Sequence, residues 1–218
     1  MTASGKPFDI VCFDCDSTLS RVEGIDELAR RSGVEQEVAP LTAAAMAGEI
    51  ALDAVYGRRL DLVRPDRAAV EWLAQLYVEQ MVPGAEESVQ ALCGAGTDVH
   101  IISGGLRQAI LPLADTLGVP VANVHAVDVM FGGDGAYCDF DRNSPLAQPG
   151  GKAEICRLLS GGERSVALVG DGATDIEARE AGAFIVGFGG VVVRETVKSG
   201  ADVFVAGPSL TAVLDALL

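Results

Sequence analysis

Short apolar runs recur along this chain, and several end in a cluster of acids, small polar residues or glycines. That arrangement limits the fold more than any other feature. Phe8–Phe13 runs into Asp14-Cys15-Asp16-Ser17-Thr18, and Asp98–Ile102 runs into Ser103-Gly104-Gly105. Ser165–Val169 runs into Gly170-Asp171-Gly172-Ala173-Thr174-Asp175. Runs this short, rich in β-branched residues, read as buried strands. Ala183–Val186 and Asp202–Val205 read the same way, and Val121–Val124 as a short extended piece. Helical patterns fall between them at Ala85–Cys93, Leu106–Leu117, Gly151–Leu159, Thr174–Ala181 and Ser209–Leu218. Strand–helix alternation predicts an α/β fold with a parallel sheet covered on both faces.

One stretch breaks the alternation. From Gly24 to Tyr77 the pattern is wholly helical, with segments near Ile25–Arg31, Glu35–Met46, Leu52–Leu62 and Arg67–Glu79. Pro40, Gly48 and Pro65 punctuate or start them. This block reads as an insertion, so residues 1–20 and 81–218 are expected to form the core and residues 21–80 a helical cap. Val127–Phe131 and Ala136–Phe140 flank Gly132-Gly133-Asp134-Gly135, a hairpin signal.

Charge and cysteine usage remove several classes. The formal net charge is −15, which argues against a nucleic-acid partner or a basic membrane-surface protein. Hydrophobic residues make up 49%, too many for a disordered chain. Met1–Pro7 is polar, and no run approaches the ~18 apolar residues of a membrane span. The expectation is a cytoplasmic protein without a membrane partner. Five cysteines without a signal peptide read as reduced thiols. Cys12 and Cys15 match a C-x-x-C spacing but end a strand, whereas a reactive pair opens a helix. With only His100 and His125, no zinc ligand spacing exists. Leu146 and Ala153 break a Walker loop around Gly151-Lys152, and Ile101 breaks a serine-hydrolase elbow.

Ligands of open α/β sheets bind beyond the carboxyl ends of the strands. Three strand ends and the helix start at Gly150-Gly151-Lys152 therefore bring Asp14, Asp16, Ser103, Lys152, Asp171 and Asp175 to one crevice. Crowded carboxylates repel, and Mg2+ between carboxylates and a phosphate relieves that repulsion. Ser103 with the N–H groups of Gly104 and Gly105, placed at a helix N-terminus, reads as an anion cradle. The combination suits a small phosphate ester with magnesium. Asp14 ends its strand and is the expected nucleophile, ionised without help from a base. Asp16 is the expected acid/base, because a leaving group lies beyond the phosphate.

Asp14-Cys15-Asp16-Ser17-Thr18-Leu19 resembles the D-x-D-x-T motif of the haloacid dehalogenase-like phosphatases. Ser103, Lys152 and Gly170–Asp175 resemble its three remaining motifs. Within that superfamily, Glu23–Ala29, Ile101–Gly105 and Gly187–Gly190 are most similar to the phosphoserine phosphatases. The resemblance implies a Rossmann-like parallel-sheet core with an inserted helical cap. It implies Mg2+ held by Asp14, the backbone carbonyl of Asp16 and Asp171, with Asp175 supporting the metal shell. Ser103, Gly104 and Lys152 would hold the phosphate, and Thr174 would help order the site. Glu23 would meet the ammonium of the substrate and Arg59 its carboxylate, with Met46 lining the pocket. The family's Met-Gly-Gly reads Met46-Ala47-Gly48 here. The implied reaction is hydrolysis of L-phosphoserine to L-serine through a phospho-aspartate. The alternatives are a relative acting on phosphohomoserine or another small phosphorylated metabolite, and a signalling receiver domain. The inserted cap and the second acid at Asp16 disfavour the receiver domain.

Overall fold

Residues 8–218 are described by a computed structural model; the polar start Met1–Pro7 lies outside the described residues. The strands in chain order are β1 (Ile10–Phe13), β2 (Asp98–Leu106), β3 (Val124–Val127) and β4 (Val129–Phe131). They continue with β5 (Tyr137–Phe140), β6 (Val166–Gly170), β7 (Phe184–Phe188) and β8 (Val203–Val205). Six of them form one parallel sheet in the order β3-β2-β1-β6-β7-β8, and β4 and β5 form the separate antiparallel hairpin. Every residue of β1 and β6 is buried, as central strands covered on both faces must be.

From β1 the chain steps to one side through β2 and β3, then returns and steps to the other through β6, β7 and β8. The order therefore reverses between β1 and β6. In open α/β sheets a crevice forms at such a reversal, beyond the strands' carboxyl ends. Phe13 of β1 pairs with Ile101 of β2 and with Val169 of β6. One residue further along, the backbone leaves the sheet with Asp14.

Four helices follow β1: α1 (Gly24–Ser32), α2 (Glu35–Met46), α3 (Leu52–Val63) and α4 (Arg67–Glu79). Their ends follow local chemistry. Asp66 caps α4 by accepting a hydrogen bond from Ala69 N–H at 2.7 Å. Gly33, with φ of 76°, closes α1 in the left-handed region. Pro40 lies inside α2 rather than at its start. The chain leaves and rejoins the sheet side by side: Ser20 bridges Met81, and Arg21 N–H donates to Gln80 C=O at 2.8 Å.

The remaining helices are α5 (Ala85–Gly94), α6 (Arg107–Leu117), α7 (Gly151–Ser160), α8 (Ala173–Glu177), α9 (Glu195–Gly200) and α10 (Leu214–Leu217). Among the described residues, no helix is long and apolar enough to cross a membrane.

The largest departure from the sequence reading is at β2. The apolar pattern ends at Ile102, but the strand continues to Leu106 and α6 starts only at Arg107. Between Ile102 and Leu106 the register against β3 shifts. Ser103-Gly104-Gly105 therefore bulges from an extended strand instead of opening a helix, and bulges commonly redirect side chains beside active sites. The extended piece expected at Val121–Val124 becomes a short turn at Val121–Asn123 followed by β3. Val127 closes β3 and does not begin the hairpin.

Candidate active site

Nine of the expected site residues line one pocket: Asp14, Asp16, Glu23, Met46, Arg59, Ser103, Gly104, Lys152 and Thr174. The other two, Asp171 and Asp175, are fully buried. Asp14 follows β1, Ser103 lies in the bulge of β2, and Asp171 follows β6. The α7 helix supplies Lys152 from its first turn, and α8 supplies Thr174 and Asp175.

At the centre is a buried charge cluster. Lys152 Nζ lies 2.9 Å from Asp14 Oδ2 and 2.6 Å from Asp175 Oδ1. Burial opposes the charged ammonium, but the two carboxylates outweigh it and hold the Lys152 pKa above the ordinary lysine value. Asp14 Oδ1 accepts from Cys15 N–H at 2.7 Å, and Asp175 Oδ2 accepts from Gly172 N–H at 2.9 Å. Burial raises the Asp175 carboxyl to about 6 against the lowering effect of Lys152. Asp175 folds back over the strand end, and a Cβ at Gly170 would fall 2.1 Å from its Cγ. Only glycine leaves room there.

Asp14, Asp171 and Asp175 each offer a carboxylate oxygen, all within 4.8 Å of one another. Buried oxygens this close suit a small divalent cation that prefers oxygen ligands. The cations recruited to the cluster support the same conclusion: Lys152 pairs with two of the acids, and Arg194 pairs with the third, Asp171. Thr18 Oγ1 donates to Asp171 Oδ1 at 3.4 Å.

Asp16 turns away from this cluster. Its Oδ1 accepts from Tyr77 Oη at 2.6 Å and from Gly24 N–H at 2.9 Å. Burial, then the neighbouring Asp14, raise its carboxyl to about 6, and the two hydrogen bonds resist that rise. Ser103 Oγ accepts from Gly105 N–H at 3.0 Å, and Gly104 C=O accepts from Tyr56 Oη at 2.8 Å.

Arg59 projects from α3 and is buried. Nη1 donates to Thr42 Oγ1 at 3.2 Å, and Thr42 in turn donates to Asp26 Oδ1 at 2.7 Å. The Nε of Arg59 has no hydrogen-bond partner among the described residues. Burial lowers the Arg59 pKa, so an anion in the pocket would relieve its desolvation. Glu23, just before α1, is half-buried; burial and then Asp16 push its carboxyl well above the usual range. Met46 ends α2 against the loop after β6, its Cε 2.6 Å from where a Gly172 Cβ would stand.

Sequence reasoning missed Tyr56, Tyr77, Thr42 and Arg194. The two tyrosines lie among apolar residues at helical spacing and read as core. Arg194 precedes α9, a helix the sequence pattern did not suggest, and nothing local points to Asp171 as its partner. Cys12 and Cys15 are both fully buried and unpaired, which agrees with a packing role.

Comparison with known proteins agrees with this geometry. Residues 8–182 match the family model of the haloacid dehalogenase-like hydrolases. The chain is 40% identical to a chloroplastic phosphoserine phosphatase of Arabidopsis thaliana over 201 residues, covering 90% of this chain and 68% of that one. It is 39% identical to a phosphoserine phosphatase of Homo sapiens over 199 residues, covering 90% and 88%. A solved structure described as a phospho-aspartyl intermediate analogue of phosphoserine phosphatase superposes with a TM-score of 0.84 at 27% identity, covering 99% of this chain and all of that one.

Proposed function

This chain belongs to the haloacid dehalogenase-like hydrolases, and on that premise we propose that it is a phosphoserine phosphatase, converting L-phosphoserine to L-serine and phosphate. The observation that carries the substrate is the presence of both Glu23 and Arg59 in the lining of the pocket that also holds Asp14, Asp16 and Lys152. A zwitterionic amino acid needs one anion and one forked cation, and a phosphate ester needs a nucleophile, a proton donor and positive charge. The reaction is the serine-forming step of a biosynthesis. Five unpaired thiols suit a reducing compartment such as the cytoplasm.

Asp14 is the nucleophile. A carboxylate oxygen forms a bond to phosphorus as the bond from phosphorus to the serine oxygen breaks. Asp16 gives its proton to that departing oxygen. It then takes a proton from water as the water attacks phosphorus, which frees phosphate and restores Asp14. Asp16, raised to about 6, is suited to both directions of proton transfer near neutrality. Ser103, Gly104 and Lys152 hold the phosphoryl group. Mg2+ would be held by Asp14, the Asp16 carbonyl and Asp171, with Asp175 in support, and would supply positive charge opposite the phosphate oxygens. Thr174, on α8 beside Asp175, helps order the site.

Residues 21–80 act as a cap over a core made, among the described residues, of 8–20 and 81–218. Supporting this is the adjacent departure and return of the chain at Ser20 and Met81. A cap that closes excludes water during transfer and reopens for release.

The test is phosphate release from L-phosphoserine, phosphohomoserine and other phosphorylated metabolites, with and without Mg2+. L-Phosphoserine with Mg2+ should give the highest kcat/KM, and a higher value for phosphohomoserine would reassign the substrate. Asp14→Asn should lower turnover by more than about a thousandfold while leaving the fold intact.

A further inference from the structure

Both hydrogen bonds to Asp16 fall on the same oxygen. Tyr77 Oη and Gly24 N–H reach Oδ1 at 2.6 and 2.9 Å. The other oxygen, Oδ2, lies toward Gly105, where a Cβ would stand 3.4 Å from it. Tyr77 is fully buried, belongs to α4 and lines the same pocket as Asp14 and Asp16. We propose that Tyr77 is a positioning residue for proton transfer: its phenol anchors Asp16 Oδ1 so that Oδ2 faces the leaving-group oxygen. The proposal rests on the assignment of Asp16 as the acid/base of a phosphoserine phosphatase.

The physical argument starts from the torsion that sets a carboxyl group. Rotation about the Asp Cβ–Cγ bond is broad, so an unanchored carboxyl presents either oxygen over a wide arc. Proton transfer needs the donor oxygen within about 2.6–3.2 Å of its partner. Two donors converging on Oδ1 fix that rotation. They also occupy Oδ1 as an acceptor, which leaves Oδ2 to carry the transferred proton.

Gly24 is part of the same device. A Cβ there would stand 2.0 Å from Tyr77 Oη and 3.3 Å from Asp16 Oδ1. A methyl group at this position would push the phenol off the carboxylate. The contact joins helix α4 to the loop after β1 across 61 residues of chain, so the four-helix segment contributes to the acid/base step as well as to substrate binding.

The experiment compares two leaving groups in the wild type, Tyr77→Phe and Gly24→Ala at saturating Mg2+, with thermal melts to establish that each protein is folded. Serine leaves poorly from phosphoserine without a proton, whereas acetate leaves unaided from acetyl phosphate. In both variants kcat/KM for phosphoserine should fall by roughly ten- to a hundredfold through kcat, with acetyl phosphate changed less than about threefold. Equal losses on the two substrates in a folded variant, or no loss on phosphoserine, would overturn the role of Tyr77. Gly24→Ala keeps the question open to disproof if Tyr77→Phe does not fold, because it displaces the same hydroxyl without removing the ring. A wild type that does not turn over phosphoserine would instead overturn the functional reading on which the proposal rests.

Discussion

Lys152 Nζ lies 2.9 Å from Asp14 Oδ2, and both side chains are all but excluded from solvent. The same ammonium is 2.6 Å from Asp175 Oδ1, so one cation compensates two buried acids. Removing one member of a buried ion cluster leaves uncompensated charge behind, typically at a cost of about 3–5 kcal/mol. Lys152→Ala should destabilise the protein by about that amount in urea melts with a chelator present, and Mg2+ should restore more stability to the variant than to the wild type. A loss within the ordinary surface range of about 0.5 kcal/mol would contradict the buried cluster.

Asp171 lies within 4.8 Å of Asp14 and Asp175 through its carboxylate oxygen. Asp171→Asn replaces a charged carboxylate ligand with a neutral amide and should weaken Mg2+ by at least about tenfold in calorimetric titration. Unchanged affinity would remove Asp171 from the ligand set. The Arg194 contact on the same carboxylate adds a second expectation, that Mg2+ binding releases this guanidinium and loosens the segment before α9. Hydrogen exchange around residues 191–197 should then rise on adding Mg2+.

Among the described residues, Arg59 keeps one buried guanidinium nitrogen without a hydrogen-bond partner. Charge-assisted hydrogen bonds contribute about 1.5–3 kcal/mol, so Arg59→Ala should raise KM for phosphoserine by roughly ten- to a hundredfold. Phosphoethanolamine lacks the carboxylate and should be far less affected. A parallel rise for both esters would mean that Arg59 serves the fold and not recognition.

His100 Nδ1 and His125 Nε2 lie 3.1 Å apart on adjacent strands β2 and β3. Burial lowers both pKa values, that of His125 to about 4. An unfolded histidine titrates near ~6.5, so between these values the unfolded chain binds the extra proton. The contribution of His125 to stability is therefore intact above pH ~6.5 and shrinks as the pH falls toward the folded value. Asp16 and Asp175, both raised to about 6, act in the opposite sense, gaining folded-state protons as the pH drops. The comparison with His125→Gln isolates the histidine: the stability advantage of the wild type over the variant should narrow from pH 7 to pH 5. A constant difference would show that the pair does not titrate on unfolding.

The sequence by itself determined the sheet, the helical stretch between its first two strands, and the residues standing at each strand end. Asp14, Lys152, Asp171 and Asp175 could be picked out because each stands at the end of an element, and Ser103 because the apolar run of β2 stops there, although the strand itself continues to Leu106. Periodicity encodes which residues are buried, and burial places strand ends. It does not encode which buried residues meet. Tyr77 shares the buried side of α4 with Ala69, Val70, Leu73 and Ala74, and its spacing alone marks it as packing. Only the return of α4 over the loop after β1 brings its hydroxyl to Asp16. Arg194 likewise meets Asp171 because β7 lies beside β6 in the sheet. The bulge at Ser103–Gly105 was hidden for a related reason: glycine after serine suits a helix start or an irregular strand equally, and pairing with β3 decides between them. Local sequence marked the polar groups of the pocket, and long-range packing decided which oxygen of which acid each neighbour holds.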